Sequence, residues 1–300
     1  HPLCCNFGMG SPDMFYGADY QRGAVAQDRE AWLDRFLAAT LAFGHTGFLV
    51  FEGGFENAVR SYYSLQQIHA RYAQQTVASI RYSDGQGNLL DTSAAVATGA
   101  YRRSQVATRY ADALEVYVNG HATDAWQLPA ITLPPNGWYV RGEQDDALLA
   151  YSAMVDGHRA DYVESPAYVY ANGRGKLTRF PKATTNGQLV ARFRDDDTIE
   201  LFSLGNDPIL GVSLNGRAAT TVALDSEGNP LHAATTRFSR GIVYVSPVPA
   251  AVSYLLTPVA APDVPLTCDR ITVMPGETIT IGPAEKLVSV PQDAPIGTQY

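Results

Sequence analysis

The sequence predicts a mainly β protein, with antiparallel β-sandwich structure preceded by an incomplete β/α segment. From Thr76 onward, short runs rich in β-branched and aromatic residues recur, as at 116–118, 139–141, 168–170 and 242–245. Asn-Gly pairs, the strongest short hairpin signal, punctuate this region. The pairs begin at Asn119, Asn136, Asn172, Asn186 and Asn215. Before residue 76, the apolar residues follow a helical period instead.

Residues 1–75 contain two amphipathic stretches. The first runs from about Asp28 to Phe43, and the second from about Glu56 to Gln74. The apolar positions that we expect to be buried are Trp32, Leu33, Phe36, Leu37 and Leu41 in the first, and Val59, Tyr62, Tyr63, Ile68 and Tyr72 in the second. Between them, Phe48–Phe51 is apolar at every position, which predicts a strand covered on both faces.

One buried strand between two helices is an incomplete unit. An unpaired buried backbone amide costs about 1–3 kcal/mol, so such a strand needs neighbours on both edges. A β/α barrel supplies them with eight strands. Because the chain begins at His1 without an initiator Met, we expect it to be processed or part of a longer polypeptide. We therefore expect residues 1–75 to be the tail of a barrel whose front lies upstream; docking onto the sandwich is the alternative.

The remaining chain divides by composition. Residues 76–197 are predicted to form a β-sandwich domain that ends at an acidic run, Asp195–Asp197. Residues 198–259 are expected to be a second small sandwich or a continuation of the first. A Pro-rich stretch then begins residues 260–300, which we interpret as a linker, a hairpin and a tail.

Charge and cysteine content exclude several function classes. The net charge of −8 argues against a nucleic-acid partner, whose phosphates require a basic surface. No apolar run reaches the roughly 18 residues needed to cross a bilayer, so we expect no membrane partner. The three cysteines form neither a disulfide framework nor a zinc-binding pattern. We expect no metal and no cofactor.

The stretch Phe43-Gly-His-Thr-Gly-Phe-Leu-Val-Phe-Glu-Gly-Gly54, followed by a Tyr-rich helix and a hairpin-rich sandwich, resembles a known architecture. It is similar to the last β/α unit of TIM-barrel glycoside hydrolases of the α-galactosidase and endo-α-N-acetylgalactosaminidase type. Segments 133–140 and 159–175 also resemble sandwiches appended to such enzymes. The resemblance covers about residues 1–180. It implies hydrolysis of glycosidic bonds in an oligo- or polysaccharide, and an extracellular or periplasmic location.

This resemblance makes Glu52 the predicted catalytic residue. In β/α barrels the working residues lie at the carboxyl ends of strands, and Glu52 directly follows Phe51. A solvated turn residue is the alternative interpretation. The predicted substrate-binding residues are Asp13, Tyr16, Asp19 and Tyr20 of the N-terminal loop, because carboxylates bind sugar hydroxyls and aromatic rings stack on sugar faces. An ordinary turn-rich surface loop is the alternative interpretation, and the composition favours it slightly.

Other residues have two interpretations each. The sandwich aromatics form either a sugar-stacking platform or core: Trp126, Trp138, Tyr139, Tyr162, Tyr168 and Tyr170. The alternation of Tyr168 and Tyr170 puts both on one face, which favours core. Arg174 is either a carboxylate-binding residue or a hairpin tip, and His45 and His69 are expected to be packing histidines. Two functions remain: part of a hydrolase, or a non-catalytic carbohydrate-binding or structural β-sandwich module.

Overall fold

A computed structural model describes residues 29–47, 49–51, 54–111, 113–142, 147–205, 208–259, 278–281 and 286–289. Residues up to Pro258 form one compact unit, and residues from Val259 onward form a second. Within the described ranges, the second unit contributes a single antiparallel hairpin, Thr278–Ile281 with Lys286–Ser289. The first unit contains all the remaining elements.

The first unit is mainly β with three α-helices among the residues described. The helices are α1 Arg29–Ala42, α2 Phe55–Tyr72 and α3 Thr92–Thr98, followed by a 3₁₀ turn, Ala100–Arg103. The strands are β1 Val77–Ser83, β2 Leu89–Asp91, β3 Gln105–Tyr110, β4 Glu115–Asn119, β5 Trp126–Gln127, β6 Thr132–Leu133, β7 Gly137–Arg141, β8 Leu149–Val155, β9 His158–Glu164, β10 Tyr168–Asn172, β11 Thr178–Arg179, β12 Ala183–Thr185, β13 Gln188–Phe193, β14 Ile199–Leu204, β15 Leu210–Ser213, β16 Ala219–Leu224, β17 Pro230–Ala233, β18 Thr236–Ser239, β19 Ile242–Val245 and β20 Ser253–Pro258. The hairpin of the second unit is β21 and β22.

Two antiparallel sheets build the first unit. The large sheet has 15 strands and follows the order β17-β16-β20-β14-β13-β10-β9-β8-β7-β4-β3-β1-β2, with β5 and β6 beside β8. The small sheet has the order β11-β12-β15-β19-β18. The large sheet continues without a break across residue 197, because β13 pairs with β14. The prediction of a mainly antiparallel β fold is confirmed.

The large sheet has a separate core on each face. One face packs on α1 and α2 through side chains that include Val116, Trp138, Val140 and Tyr170. The opposite face packs on the small sheet, where Leu189 and Leu201 meet residues such as Val212 and Val243. Because side chains alternate along a strand, central strands such as β9, β10 and β13 contribute to both cores. The first unit therefore has three layers, with the large sheet between the helices and the small sheet.

The two predicted long helices are confirmed. In α1 the five predicted positions are all buried: Trp32, Leu33, Phe36, Leu37 and Leu41. Gly44, at φ 63°, supplies the left-handed turn that follows the helix. In α2 four of the five predicted positions are buried, but Tyr62 is 44% exposed, so its prediction was wrong. Tyr62 lies next to Tyr63 on the helix, and only Tyr63 faces the sheet, where its ring contacts Tyr168.

The predicted buried parallel strand at Phe48–Phe51 is wrong for the residues described. Leu49, Val50 and Phe51 belong to no strand, and Leu49 and Phe51 are 45% and 61% exposed. Only Val50 is buried, and its N–H donates to the Ser61 hydroxyl on α2 at 3.0 Å. Every strand pair in the described ranges is antiparallel, and these ranges contain no barrel. The helices instead cover one face of the antiparallel sheet.

A buried charge cluster joins this helical layer to the sheet. It consists of Asp34 on α1, Arg60 on α2, Arg159 and Asp161 on β9, and Arg174 after β10. Arg60 Nε donates to Asp161 at 2.8 Å and its Nη2 bonds Asp34. Arg174 bonds both carboxylates, at 2.6 and 3.0 Å to Asp34 and at 2.8 and 3.1 Å to Asp161. Of the two interpretations of Arg174, the structure does not support binding of a ligand carboxylate, because the guanidinium bonds Asp34 and Asp161.

Both carboxylates of the cluster stay ionised. Burial alone would raise the pKa of Asp161, but the guanidinium groups of Arg174 and Arg60 outweigh burial and hold that pKa well below its usual range. The pKa of Asp34 is lowered in the same way, against burial, by Arg60, Arg174 and Arg159. Arg159 is satisfied further by the carbonyls of Pro135 and Asn136, at 2.9 and 2.7 Å. The cluster is thus a paired and hydrogen-bonded unit.

Both histidines near α2 are packing residues. The His69 ring nitrogens lie 3.3 and 3.4 Å from the Gly47 N–H, and the ring packs against Tyr72. The Tyr72 hydroxyl donates to the His45 carbonyl. Burial lowers the pKa of His69 to about 4 and also lowers the pKa of His45. His69 therefore anchors the segment that connects α1 to α2.

No helix in the described part of the chain is both long enough and apolar enough to cross a membrane.

Replacing Asp161 with Asn should lower the free energy of unfolding by about 3–5 kcal/mol, because it removes one of the two buried carboxylates that Arg60 and Arg174 share. Asp197→Asn is the matched control, since Asp197 pairs with Arg217 on the surface and should cost less than about 1 kcal/mol. Urea denaturation followed by circular dichroism measures both. Equal small losses would contradict a structural role for the cluster.

The protein should lose stability as the pH falls from 7 to 4, in part because of His69. The pKa of His69 in the folded state lies below the unfolded value of about 6.5, so the unfolded state binds a proton first as the pH falls. By pH 4 this protonation stabilises the unfolded state relative to the folded state by about 3 kcal/mol. His69→Gln should flatten the pH profile of the free energy of unfolding over this range. The exposed His232, replaced by Gln, should leave the profile unchanged. A His69 variant with the wild-type slope would refute this explanation.

Candidate functional site

The predicted site residues of the N-terminal segment lie outside the described residues. They are the catalytic residue Glu52 and the substrate-binding residues Asp13, Tyr16, Asp19 and Tyr20. Their roles stay predictions. The strand that was to present Glu52 is absent at 49–51, so the structural argument for a catalytic position is lost.

A row of four tyrosines crosses four neighbouring strands on the face of the large sheet away from the helices. Tyr117 on β4 lies opposite Tyr139 on β7, Tyr139 opposite Tyr151 on β8, and Tyr151 opposite Tyr162 on β9. Directly opposed side chains on one face are close enough to contact each other. Tyr162 and Tyr151 are buried, and Tyr162 stacks on Phe180 at 5.3 Å. Tyr139 and Tyr117 are half-buried, so the row leads from the core to the surface.

A groove lies over the exposed end of this tyrosine row. Two adjoining cavities of about 330 and 260 Å³ form it, and they share Leu89, Glu115 and Tyr117 in their walls. Tyr117 and Tyr139 form part of its lining, together with the β1–β2 loop and the 126–131 segment. We call these two cavities the tyrosine groove. Its larger cavity falls within the size range of small-molecule sites, about 300–1,000 Å³.

The 126–131 segment gives the groove its apolar wall. β5 and β6 pair as a short hairpin, and the Leu128 N–H donates to the Ile131 carbonyl at 2.9 Å. This hairpin holds the Trp126 ring 6.1 Å from the Tyr117 ring, and Tyr117 lies at the same distance from Tyr139. Three aromatic side chains therefore meet at one wall and floor. Trp126 is buried, so its main role is to support the Tyr117 ring, and little of its own ring is accessible to a ligand.

Glu115 and Arg141 supply polar groups beside the aromatic floor. Glu115 lies opposite Arg141 across β4 and β7, and the two side chains approach to 3.4 Å. The Tyr117 hydroxyl donates to the same carboxylate at 3.4 Å. Burial, reinforced by the Glu115 charge, raises the pKa of Tyr117, so its hydroxyl stays neutral. The groove thus combines aromatic rings with a carboxylate, a guanidinium and a hydroxyl.

Most other candidate aromatics belong to the core. Trp138, Tyr168 and Tyr170 face the helical layer, which confirms the core interpretation of the last two. Tyr168 donates to the Tyr63 carbonyl at 2.8 Å, and Tyr170 donates to Gln188 at 3.1 Å. Of the six aromatics considered from sequence, Tyr139 is half-buried in the groove and Trp126 forms part of its wall. No sequence pattern singled out Tyr117, Glu115 or Arg141 as site residues. Alternation places Glu115 and Tyr117 on one face of β4, and Tyr139 and Arg141 on one face of β7, but the register between the two strands brings the pairs together.

A second cleft of about 350 Å³ lies between β9, the β13–β14 turn and the loop after β15. Its charged groups are already paired, Lys182 with Glu164 at 2.8 Å and Arg217 with Asp197 at 3.0 Å. Aromatic side chains are scarce in its lining, which contains Phe193 alone among the residues described. This cleft is therefore a weaker candidate than the tyrosine groove.

The tyrosine groove suits binding more than hydrolysis. Glycoside hydrolysis normally requires two carboxylates about 5–9.5 Å apart, and Glu115 is the one carboxylate in the described lining. The described residues also contain no group of three or more metal-binding side chains. What the groove offers is an aromatic surface for an apolar ring face, with charged groups beside it for hydroxyls.

Comparison with known proteins found no matching family model, no matching curated protein and no matching solved structure.

Proposed function

We propose that this protein is a carbohydrate-binding β module whose tyrosine groove binds a glycan. The observation that carries the proposal is the position of Tyr117 and Tyr139 beside Glu115 and Arg141 in one groove. A pyranose ring has apolar C–H faces and a rim of hydroxyls, so it needs a flat aromatic surface with hydrogen-bonding groups at its edge. The Tyr117 and Tyr139 rings are tilted by 47° to each other, so each offers its own ring face, and Glu115 and Arg141 supply the hydrogen-bonding groups. Because polysaccharide is abundant outside the cytoplasm, we also propose an extracellular or periplasmic location.

Half-buried tyrosines are well suited to this role. Each tyrosine loses little conformational freedom on binding, because packing against neighbouring side chains already restricts its rotamers. Tyr139 is flanked by Tyr117 and by the buried Tyr151, and Tyr117 is flanked by Trp126. The aromatic surface is therefore preorganised before a ligand arrives. The Glu115–Arg141 pair holds its two charged groups at the rim in the same way.

The proposal favours the non-catalytic interpretation over the hydrolase interpretation. The groove has one described carboxylate, and the strand expected to position Glu52 is absent at 49–51. Hydrolysis of a glycosidic bond stays a prediction that concerns residues outside those described. A binding module can equally belong to a larger carbohydrate-active polypeptide, so the expected upstream part remains compatible with the proposal.

Tyr117→Ala and Tyr139→Ala should each weaken glycan binding about tenfold or more, because each removes part of the aromatic floor. A glycan-array screen of the purified chain first identifies a bound glycan, and calorimetric titration with it then measures the dissociation constants. Tyr244→Ala is the matched control: Tyr244 is also a half-buried strand tyrosine, but it lies on β19 in the small sheet. The Tyr244→Ala variant should bind the glycan with the same affinity as the wild type.

Two results would contradict the proposal. One is the absence of binding to every glycan on the array. The other is equal affinity of the wild type and the two groove variants, with circular dichroism showing that all are folded.

The bound glycan should remain intact on prolonged incubation with the protein, and Glu52→Gln should leave its binding unchanged. This result is expected because the groove contains a single described carboxylate. Reducing-end release, measured over hours, tests for cleavage. Cleavage by the wild type that is lost in Glu52→Gln, with binding retained, would instead support the hydrolase interpretation.

A further inference from the structure

Arginines dominate the charge of the tyrosine groove. Arg81 on β1 and Arg109 on β3 line its smaller cavity, and Arg141 on β7 lines its larger one. Glu115 is the one acidic side chain in the described lining of either cavity. The chain as a whole has a net charge of −8, so this local excess of positive charge runs against its overall composition.

Strand register places the arginines in line with the tyrosine row. Ala107 on β3 lies opposite Tyr117 on one side and opposite Arg81 on the other. The tyrosine row is thus extended across the sheet by a small residue and then by a guanidinium. Arg109 is the direct cross-strand neighbour of Glu115, which in turn faces Arg141. Side chains in these two adjacent rows emerge on the same face, because they are two residues apart along each strand.

Two of the three arginines are available to a ligand. Arg81 and Arg109 are exposed, and within the described part of the chain neither guanidinium group makes an ion pair or a hydrogen bond. Arg141 differs, because it approaches Glu115. The contrast with Arg60, Arg159 and Arg174 is marked, since those three are fully engaged with carboxylates in the buried cluster. Free guanidinium groups in a ligand-sized groove provide donors without a protein acceptor.

We propose that the tyrosine groove binds an anionic glycan, one that carries carboxylate or sulfate groups. This inference rests on the proposed carbohydrate-binding function and adds its specificity. A guanidinium matches a carboxylate or sulfate with two parallel N–H···O bonds, and such charge-assisted bonds are about twice as strong as neutral ones. A glycan with one sugar ring stacked on Tyr117 would extend over Ala107, which leaves room, toward Arg81 and Arg109.

Matched pairs of polysaccharides test the charge requirement. Polygalacturonate is compared with its methyl-esterified form, which removes the carboxylate charge, and dextran sulfate is compared with dextran. Affinity electrophoresis and titration measure binding at low and moderate salt. At least one anionic polymer should bind about tenfold or more tightly than its neutral counterpart, and its affinity should fall as salt rises. Which pair responds distinguishes carboxylate from sulfate as the recognised group.

Variants locate the effect. Arg81→Gln and Arg109→Gln should each weaken binding of the anionic polymer about tenfold and leave binding of any neutral glycan unchanged. Arg179→Gln is the control: Arg179 is also exposed on a strand, β11, but it lies outside the groove lining. An equal loss in Arg179→Gln would show non-specific charge attraction and would overturn the inference.

The failure of this inference is distinguishable from failure of the proposed function. Binding of neutral and anionic polymers with equal affinity, still lost in Tyr117→Ala, would overturn anionic specificity and leave carbohydrate binding in place. Absence of binding to both members of each pair and to the glycan array would overturn both.

Discussion

The buried charge cluster is the interaction on which the rest of the structure depends. Asp34 and Arg60 lie on the two long helices and Asp161 lies on β9. Arg60 and Arg174 each bond both carboxylates. Two carboxylates and three guanidinium groups removed from water are costly unless each finds its partners, so the helices have one position over the sheet in which the cluster is satisfied. Burial of apolar side chains drives α1 and α2 onto the sheet, and the pairing of the charged cluster determines their position over it.

Once the helices cover one face of the large sheet, the alternation of side chains along each strand determines which residues lie on the other face. Val116 and Val140 pack under the helices. Tyr117 and Tyr139 are their neighbours in sequence, so their side chains point to the opposite face. Toward β9 that opposite face is buried, with Tyr162 stacked on Phe180. Toward β4 the tyrosines are half-buried, and the β5–β6 hairpin forms a wall beside them. The candidate site is thus the exposed end of a row whose buried end is core.

Sequence patterns predicted much of the fold and little of the site. The helical period identified α1 and α2 because their apolar stripes are set by local spacing, and Asn136, at φ 58°, shows why Asn-Gly pairs mark the turns between strands. The apolar run Phe48–Phe51 predicted a strand, but its described residues, 49–51, belong to a connecting segment in which Val50 alone is buried. Arg174 and Asp34 are 140 residues apart, and Tyr117, Tyr139 and Glu115 meet through cross-strand register. Neither relation is visible in local sequence.

Glycan binding in the tyrosine groove is tested most directly by amide chemical-shift mapping with transverse-relaxation-optimised NMR during titration with a bound glycan. The largest shifts should occur at Tyr117, Trp126 and Tyr139, with α1, α2 and the cleft at Lys182 unaffected. Largest shifts on the helices or in that cleft, with the groove unchanged, would contradict glycan binding in the groove.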